Sequence, residues 1–183
     1  MNPIQRHTLA VLVDNESGVL SRVVRLFSGK GYNIESLAVG TTDDPAVSRI
    51  TIELMVDDKQ CALLSNQLRK LICVHSVKAL TPEHAIRREL VLIKVLANES
   101  ERRNEVIQIA NIFRASIIDV SKASLTLALI GDESKAQAFQ NLLTEFGILE
   151  LVRTGMVALE RGQYTIDEQT KEKGEFDYGK NVL

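Results

Sequence analysis

The chain contains no tryptophan, and only 4% of its 183 residues are aromatic. Base-stacking platforms and carbohydrate sites depend on aromatic faces, so both are poorly supported. It also lacks an excess of positive charge: 22 Lys and Arg stand against 24 Asp and Glu, for a net charge of −2. A general nucleic-acid binder needs a basic face to displace counterions, which sets that class aside. There are only two cysteines, Cys61 and Cys73, and neither belongs to a CxxC pair. They read as reduced core thiols. His7, His75 and His84 have no ligand-like spacing with cysteine or with one another, so no metal site is expected. No apolar run approaches the roughly 20 residues of a membrane span. The opening MNPIQRHTLAVLV has a polar start and one strand-length apolar run, without the core or cleavage site of a signal peptide. The expected location is cytoplasmic. Catalytic signatures are missing as well: no GxSxG, HExxH or P-loop, no GxGxxG with an acidic residue at the right distance, and no nucleophile placed beside a base. No catalytic residue, metal or cofactor is assigned to this chain.

What is present is a repeat. LAVLVDNES (residues 9–17) lies over LIKVLANES (residues 92–100) at an offset of 83, and NIESL (33–37) lies over IIDVS (117–121) at 84. SRITIELMVDD (48–58) then lies over ASLTLALIGDE (123–133) at 75, so nine residues are lost where the first copy reads GTTDDPAV. That stretch is rich in turn residues, where length changes are tolerated. Cys61, Leu64, Leu68 and Leu71 form a helical stripe whose counterparts are Ala136, Phe139, Leu143 and Phe146. Agreement in order and periodicity points to two copies of one fold.

Each copy reads alike. Residues 8–13 form an apolar, β-branched strand. Val19, Leu20, Val23, Val24 and Phe27 recur at helical spacing, and Gly29 and Gly31 stop that helix. Residues 34–39 form a second strand. Ile50, Ile52, Leu54 and Val56 alternate with Thr51, Glu53 and Met55, a strand with one buried face. Asp57 or Asp58 can cap the next helix, and residues 74–80 close the unit. The fold class is therefore α+β, two ferredoxin-like βαββαβ domains in tandem. The boundaries are 7–81 and 86–160, with Thr81, Pro82, Glu83 and His84 as linker. Residues 161–183 scatter Gly and charge without apolar periodicity and read as a flexible or loosely docked polar tail. Two helices cover one face of a four-stranded sheet, so the other face or an edge remains for association, and a homodimer is expected.

The informative segment joins the first strand to the first helix: Asp14, Asn15, Glu16, Ser17, Gly18, Val19, Leu20. A helix N-terminus offers unpaired N–H groups and partial positive charge to a carboxylate. Gly18 permits close backbone approach. Asn15 carries an amide able to pair with both an ammonium and a carboxylate. Asn33 opens the second strand and is expected beside the same turn, with Ile34 and Leu20 as apolar walls. This set suits the zwitterionic end and aliphatic side chain of an amino acid. The same residues also suit a plain cap and turn, and both readings stand at this point. The second copy keeps Asn98, Glu99 and Ser100 but aligns Glu101 with Gly18. A negative side chain there would repel a carboxylate, which leaves one site per chain.

DNESGVLSRVVRLFSGKGYNIESLAVGTTDDPAVSRITI resembles the N-terminal ACT domain of acetohydroxyacid synthase (acetolactate synthase) small subunits. The pieces are Asn15 to Gly18, Arg22, Leu26 and Phe27, GYNIESL from Gly31, Thr42, Asp43, Asp44 and Pro45, and Ser48 with Arg49. Arg87, Glu89, Leu90, Ile112, Phe113, Arg114, Ile118, Asp119, Val120, Arg153, Thr154 and Gly155 resemble the family's C-terminal domain, so the likeness spans residues 7–162. The resemblance implies a regulatory subunit that dimerises through its ACT domains and binds valine, or another branched-chain amino acid, at the dimer interface as feedback inhibitor. Asn15, Glu16, Ser17, Gly18, Val19, Leu20, Asn33 and Ile34 are the ligand residues it implies. It further implies activation of a catalytic subunit that carries thiamine diphosphate, Mg and FAD and condenses pyruvate with pyruvate or 2-oxobutanoate. An amino-acid-responsive transcription regulator would need a helix-turn-helix segment or basic arm, and none is visible. A ferredoxin-like acylphosphatase would want an Arg in the loop after the first strand, where this chain has Asp14 and Glu16.

Overall fold

A computed structural model describes residues 3–166; the last seventeen, most of the expected polar tail, lie outside the described residues. Contacts divide the chain into two compact units, Met1–Ile86 together with the segment from Ala158, and Arg87–Val157.

In the first unit, β1 (Gln5–Asp14), β2 (Ile34–Thr41), β3 (Val47–Val56) and β4 (Val74–Leu80) form a sheet in the order β2-β3-β1-β4. Helices α1 (Val19–Ser28) and α2 (Asp58–Leu68) complete the βαββαβ unit. The period-2 pattern sets the sheet's two faces. Leu9 pairs with Ile52 and Val11 with Ile50, and all four are fully buried. Val19, Val23 and Phe27, one helical face, seat α1 on that layer. The chain leaves α1 through Gly29, which is right-handed, and turns at Gly31, whose φ of 73° is the left-handed conformation that favours glycine. Between the two aspartates offered as caps, Asp57 starts α2: its carboxylate accepts from Gln60 N at 2.8 Å, and Gln60 Oε1 accepts from Asp57 N at 3.1 Å.

The opposite face of this sheet has Ala10 fully buried. Residues 158–166, the start of which was expected to close the second domain, pack with the first. Ala158 and Ile166 cluster with Ala10, Leu80 and Ala85. Arg49 Nη2 donates to Ala158 O at 2.7 Å, Ser76 Oγ donates to Ile166 O at 2.5 Å, and Lys78 pairs with Glu160. Burial pushes the Arg49 guanidinium pKa down.

In the second unit, β5 (Ala85–Leu96), α3 (Ser100–Phe113), β6 (Ser116–Val120), β7 (Ser124–Gly131), α4 (Glu133–Thr144) and β8 (Ile148–Arg153) repeat the topology, with strand order β6-β7-β5-β8. A short further strand, β9 (Val157–Glu160), follows β8 in the chain. Val91, Ile93 and Val95 face Phe139, Leu143 and the β7 leucines in the core.

The duplication is real in topology, but the sequence offset on its first strand is one residue out. Asp14 N donates to Cys73 O and Asn15 N to Ala46 O in one unit; Leu96 N donates to Gly147 O and Ala97 N to Ala123 O in the other. Asn15 therefore corresponds to Ala97, not Asn98. An offset of 83 would lay buried Leu9 over Leu92, which lies on the other face from buried Val91 and Ile93. A one-residue slip reverses the sides of every strand residue. Helix starts then equate Gly18, the N-cap of α1, with Glu99, the N-cap of α3, rather than with Glu101. The corner of the second unit still carries a carboxylate where the first has glycine.

Candidate functional site: the β1–α1 corner

At the end of β1 the chain turns through Asn15, Glu16 and Ser17 into α1. Gly18 sits at the N-cap with φ 84° and ψ −9°, and no side chain caps the helix. A Cβ built at Gly18 would meet nothing within 4 Å. The space beside Gly18 is thus open; of the first-turn amides, Val19 N donates to Glu16 O at 3.3 Å, while those of Leu20 and Ser21 have no intrahelical acceptor. Glu16, Ser17 and Leu20 are exposed around it, Leu20 to 40%.

Asn15 is more committed than its exposure suggests. Its Nδ2 donates to Pro45 O at 2.8 Å, its Oδ1 accepts from Ser48 Oγ at 3.0 Å, and its backbone N donates to Ala46 O at 2.7 Å. An amide has two N–H donors and two acceptor lone pairs, so one of each remains after these bonds. The β2–β3 loop is itself braced. Thr42 Oγ1 donates to Asp44 O, and Asp44 Oδ1 accepts from Ala46 N at 2.9 Å. In the sequence Thr42 to Pro45 and Ser48 carry no chemical signal of their own beyond turn-forming residue types. The extra nine residues in the first copy were the signal available. At the same end of the sheet His75 Nε2 lies 2.7 Å from Asp14 Oδ1.

Val19 is 3% exposed and part of the core, so its side chain is not available to a ligand, and its backbone N–H already donates to Glu16 O at 3.3 Å. Asn33 and Ile34 are not beside this turn. Ile34 pairs with Leu54, and so does His7, whereas Thr41 pairs with Ser48, and so does Val13. Asn33 therefore lies at the end of the sheet where β1 begins, six residues of strand, or about 20 Å at ~3.3 Å each, from the Gly18 end. The physical reason is the crossover: α1 runs back along the sheet, so β2 starts where β1 started. Asn33 Nδ2 donates to Glu35 Oε1 at 2.9 Å, and Ile34 packs on the core edge.

A cavity of about 440 Å³ opens at that far end, lined by Gln5, His7, Asp58, Cys61, Leu80 and Pro82 among others. It does not include the corner. Burial, the nearby Asp58 charge and a smaller opposing hydrogen bond from Ser65 leave the Cys61 thiol pKa raised, which keeps it protonated and unreactive. Among the described residues, no group of three or more His, Cys, Asp or Glu is placed to hold a metal ion, and no helix is long and apolar enough to cross a membrane.

The frame and its open helix N-terminus define a class: residues 9–76 match the family described as "AHAS small subunit-like ACT domain", so the first unit is an ACT domain. Residues 88–162 match "Small subunit of acetolactate synthase". A probable acetolactate synthase small subunit of Archaeoglobus fulgidus is 49% identical over 86% of this chain and 98% of its own length. The acetolactate synthase small subunit of Aquifex aeolicus is 44% identical over 92% of this chain and 88% of its own. The crystal structure of the small subunit from Thermotoga maritima superposes with a TM-score of 0.82 at 38% identity, covering 88% of this chain and all of that one. The chain belongs to the acetolactate synthase small-subunit family, the regulatory subunits of that enzyme.

Proposed function

We propose that this chain binds valine, or another branched-chain amino acid, at the β1–α1 corner of an ACT-domain homodimer, and so confers feedback inhibition on a catalytic subunit that it otherwise activates. The catalytic subunit, not this chain, would hold thiamine diphosphate, Mg and FAD, and the pair would work in the cytoplasm. The observation that carries the reading is the uncapped N-terminus of α1 behind a left-handed Gly18 with open space before it. A carboxylate docked there gains charge-assisted bonds from the amides of Leu20 and Ser21 and the favourable end of the helix dipole. The remaining N–H and lone pair of Asn15 suit the zwitterion, and exposed Leu20 suits an aliphatic side chain.

The separation of Asn33 from Gly18 supports the dimeric form of the reading. β2 is an edge strand and runs parallel to β1. If two β2 edges pair antiparallel about a two-fold axis, the start of one lies beside the end of the other. Asn33 and Ile34 of the partner subunit then arrive at the Gly18 end of this chain. Two equivalent sites result, each built from both chains. Calorimetric titration of valine into the full chain, with light scattering at the same concentrations, tests this. The expected result is a dimer that takes up one valine per chain. A monomer at micromolar concentration with and without valine, leucine or isoleucine, or no heat with any of the three, overturns it.

A further inference from the structure

We infer that Ser48 is a positioning residue for the ligand corner, acting through the Asn15 amide. The inference rests on the reading that this corner takes a branched-chain amino acid, and deepens it. Pro45 O can only accept a hydrogen bond, so the Asn15 atom 2.8 Å away must be the amide nitrogen. The amide oxygen therefore faces Ser48 Oγ at 3.0 Å, and the hydroxyl must donate to it. Neither atom can change place without setting two acceptors against each other at Pro45. The orientation of the amide is thus fixed by its partners rather than by its own torsional preference, which is broad at this bond.

The two contacts do different work. Pro45 alone holds one corner of the amide and leaves it free to swing about that bond. Ser48 holds the opposite corner. It can do so because it sits rigidly, 7% exposed, on β3 between Val13 of β1 and Thr41 of β2. Asn15 itself is exposed, so nothing buried around it would replace this restraint. With both corners held, the second N–H and the second oxygen lone pair point outward in one fixed geometry. Pre-set geometry of that kind lowers the ordering cost of binding. Without the Ser48 hydroxyl the amide must be ordered by the ligand, and its oxygen also turns toward water.

The test uses the isosteric pair Ser48→Thr and Ser48→Val in the full chain, which differ by one hydroxyl on the same branched shape. Valine affinity is read by calorimetry and folding by thermal unfolding. Ser48→Thr is expected to keep affinity within about twofold, and Ser48→Val to lose about three- to tenfold, the worth of one neutral hydrogen bond. The same pair in an Asn15→Ala background separates positioning from general loosening. If Ser48 acts through Asn15, Thr and Val at position 48 bind valine equally there. Equal affinity of the two variants with Asn15 intact, or the same loss with Asn15 absent, overturns the inference. If Asn15→Ala leaves valine affinity unchanged in a folded dimer, Asn15 is not a ligand contact and the inference fails; the reading beneath fails only if a folded Gly18→Asp chain also keeps wild-type affinity.

Discussion

Gly18 carries the tightest backbone constraint at the corner. Its φ of 84° strains any side chain even though a Cβ would meet no atom within 4 Å. A non-glycine residue there costs about 1–2 kcal/mol, with Asp and Asn at the lower end because their short polar chains tolerate the left-handed region. Gly18→Asp is therefore expected to fold, with a small loss of stability. It would also put a carboxylate in the volume a ligand carboxylate needs and compete for the same amides. Valine affinity should fall by a factor on the order of 10 to 100 or more. Gly18→Ala carries the strain without the charge and separates the two effects. Calorimetry on both variants checks this: wild-type affinity in a folded Gly18→Asp protein would place the ligand elsewhere. Position and residue type at this corner were legible in the sequence, because strand, Gly and helix follow one another locally. The use of Asn15 was not legible, because its partners lie 30 and 33 residues away.

At the scale of elements, the alternation of Ile50, Ile52, Leu54 and Val56 and the stripe from Cys61 to Leu68 were readable directly, since period sets which side is buried. Register between copies was not. The shared Asn-Glu-Ser places the alignment one residue off, and the ladder bonds of Asn15 and Ala97, with the burial of Val91 and Ile93, correct it. β9 escaped notice because four residues are too few for a period to declare itself. The helix caps give a prediction of their own. The Asp132 carboxylate accepts from Lys135 N at 2.9 Å and from Ser134 Oγ at 2.8 Å, which holds its pKa below the usual aspartate value, the backbone bond most of all. A depressed folded pKa contributes stability above the unfolded value of about 3.9, and that contribution is lost as pH falls through the folded pKa. Asp132→Asn should therefore be less stable than wild type near pH 6, with the gap closing toward about pH 3. Urea unfolding across that range is the check, and a gap that stays constant would mean the ionised cap is not its source.

At the scale of the molecule, the tandem fold was legible because a duplicated pattern is stronger evidence than either copy alone. Where the chain goes after the second unit was not. Ala158, Glu160 and Ile166 return to the first sheet through Arg49, Lys78 and Ser76, contacts across 82 to 109 residues that for Lys78 and Glu160 join ordinary surface residue types. The proposed regulation draws on a sheet edge for pairing, a helix end for the ligand, and a catalytic partner to control. Its most direct test is to mix the chain with its cognate catalytic subunit and measure acetolactate formation with and without valine. The account predicts that the chain raises activity, that valine lowers it again, and that the Gly18→Asp chain raises it without valine sensitivity. No change in activity on mixing, or full valine inhibition with the folded Gly18→Asp chain, would contradict it.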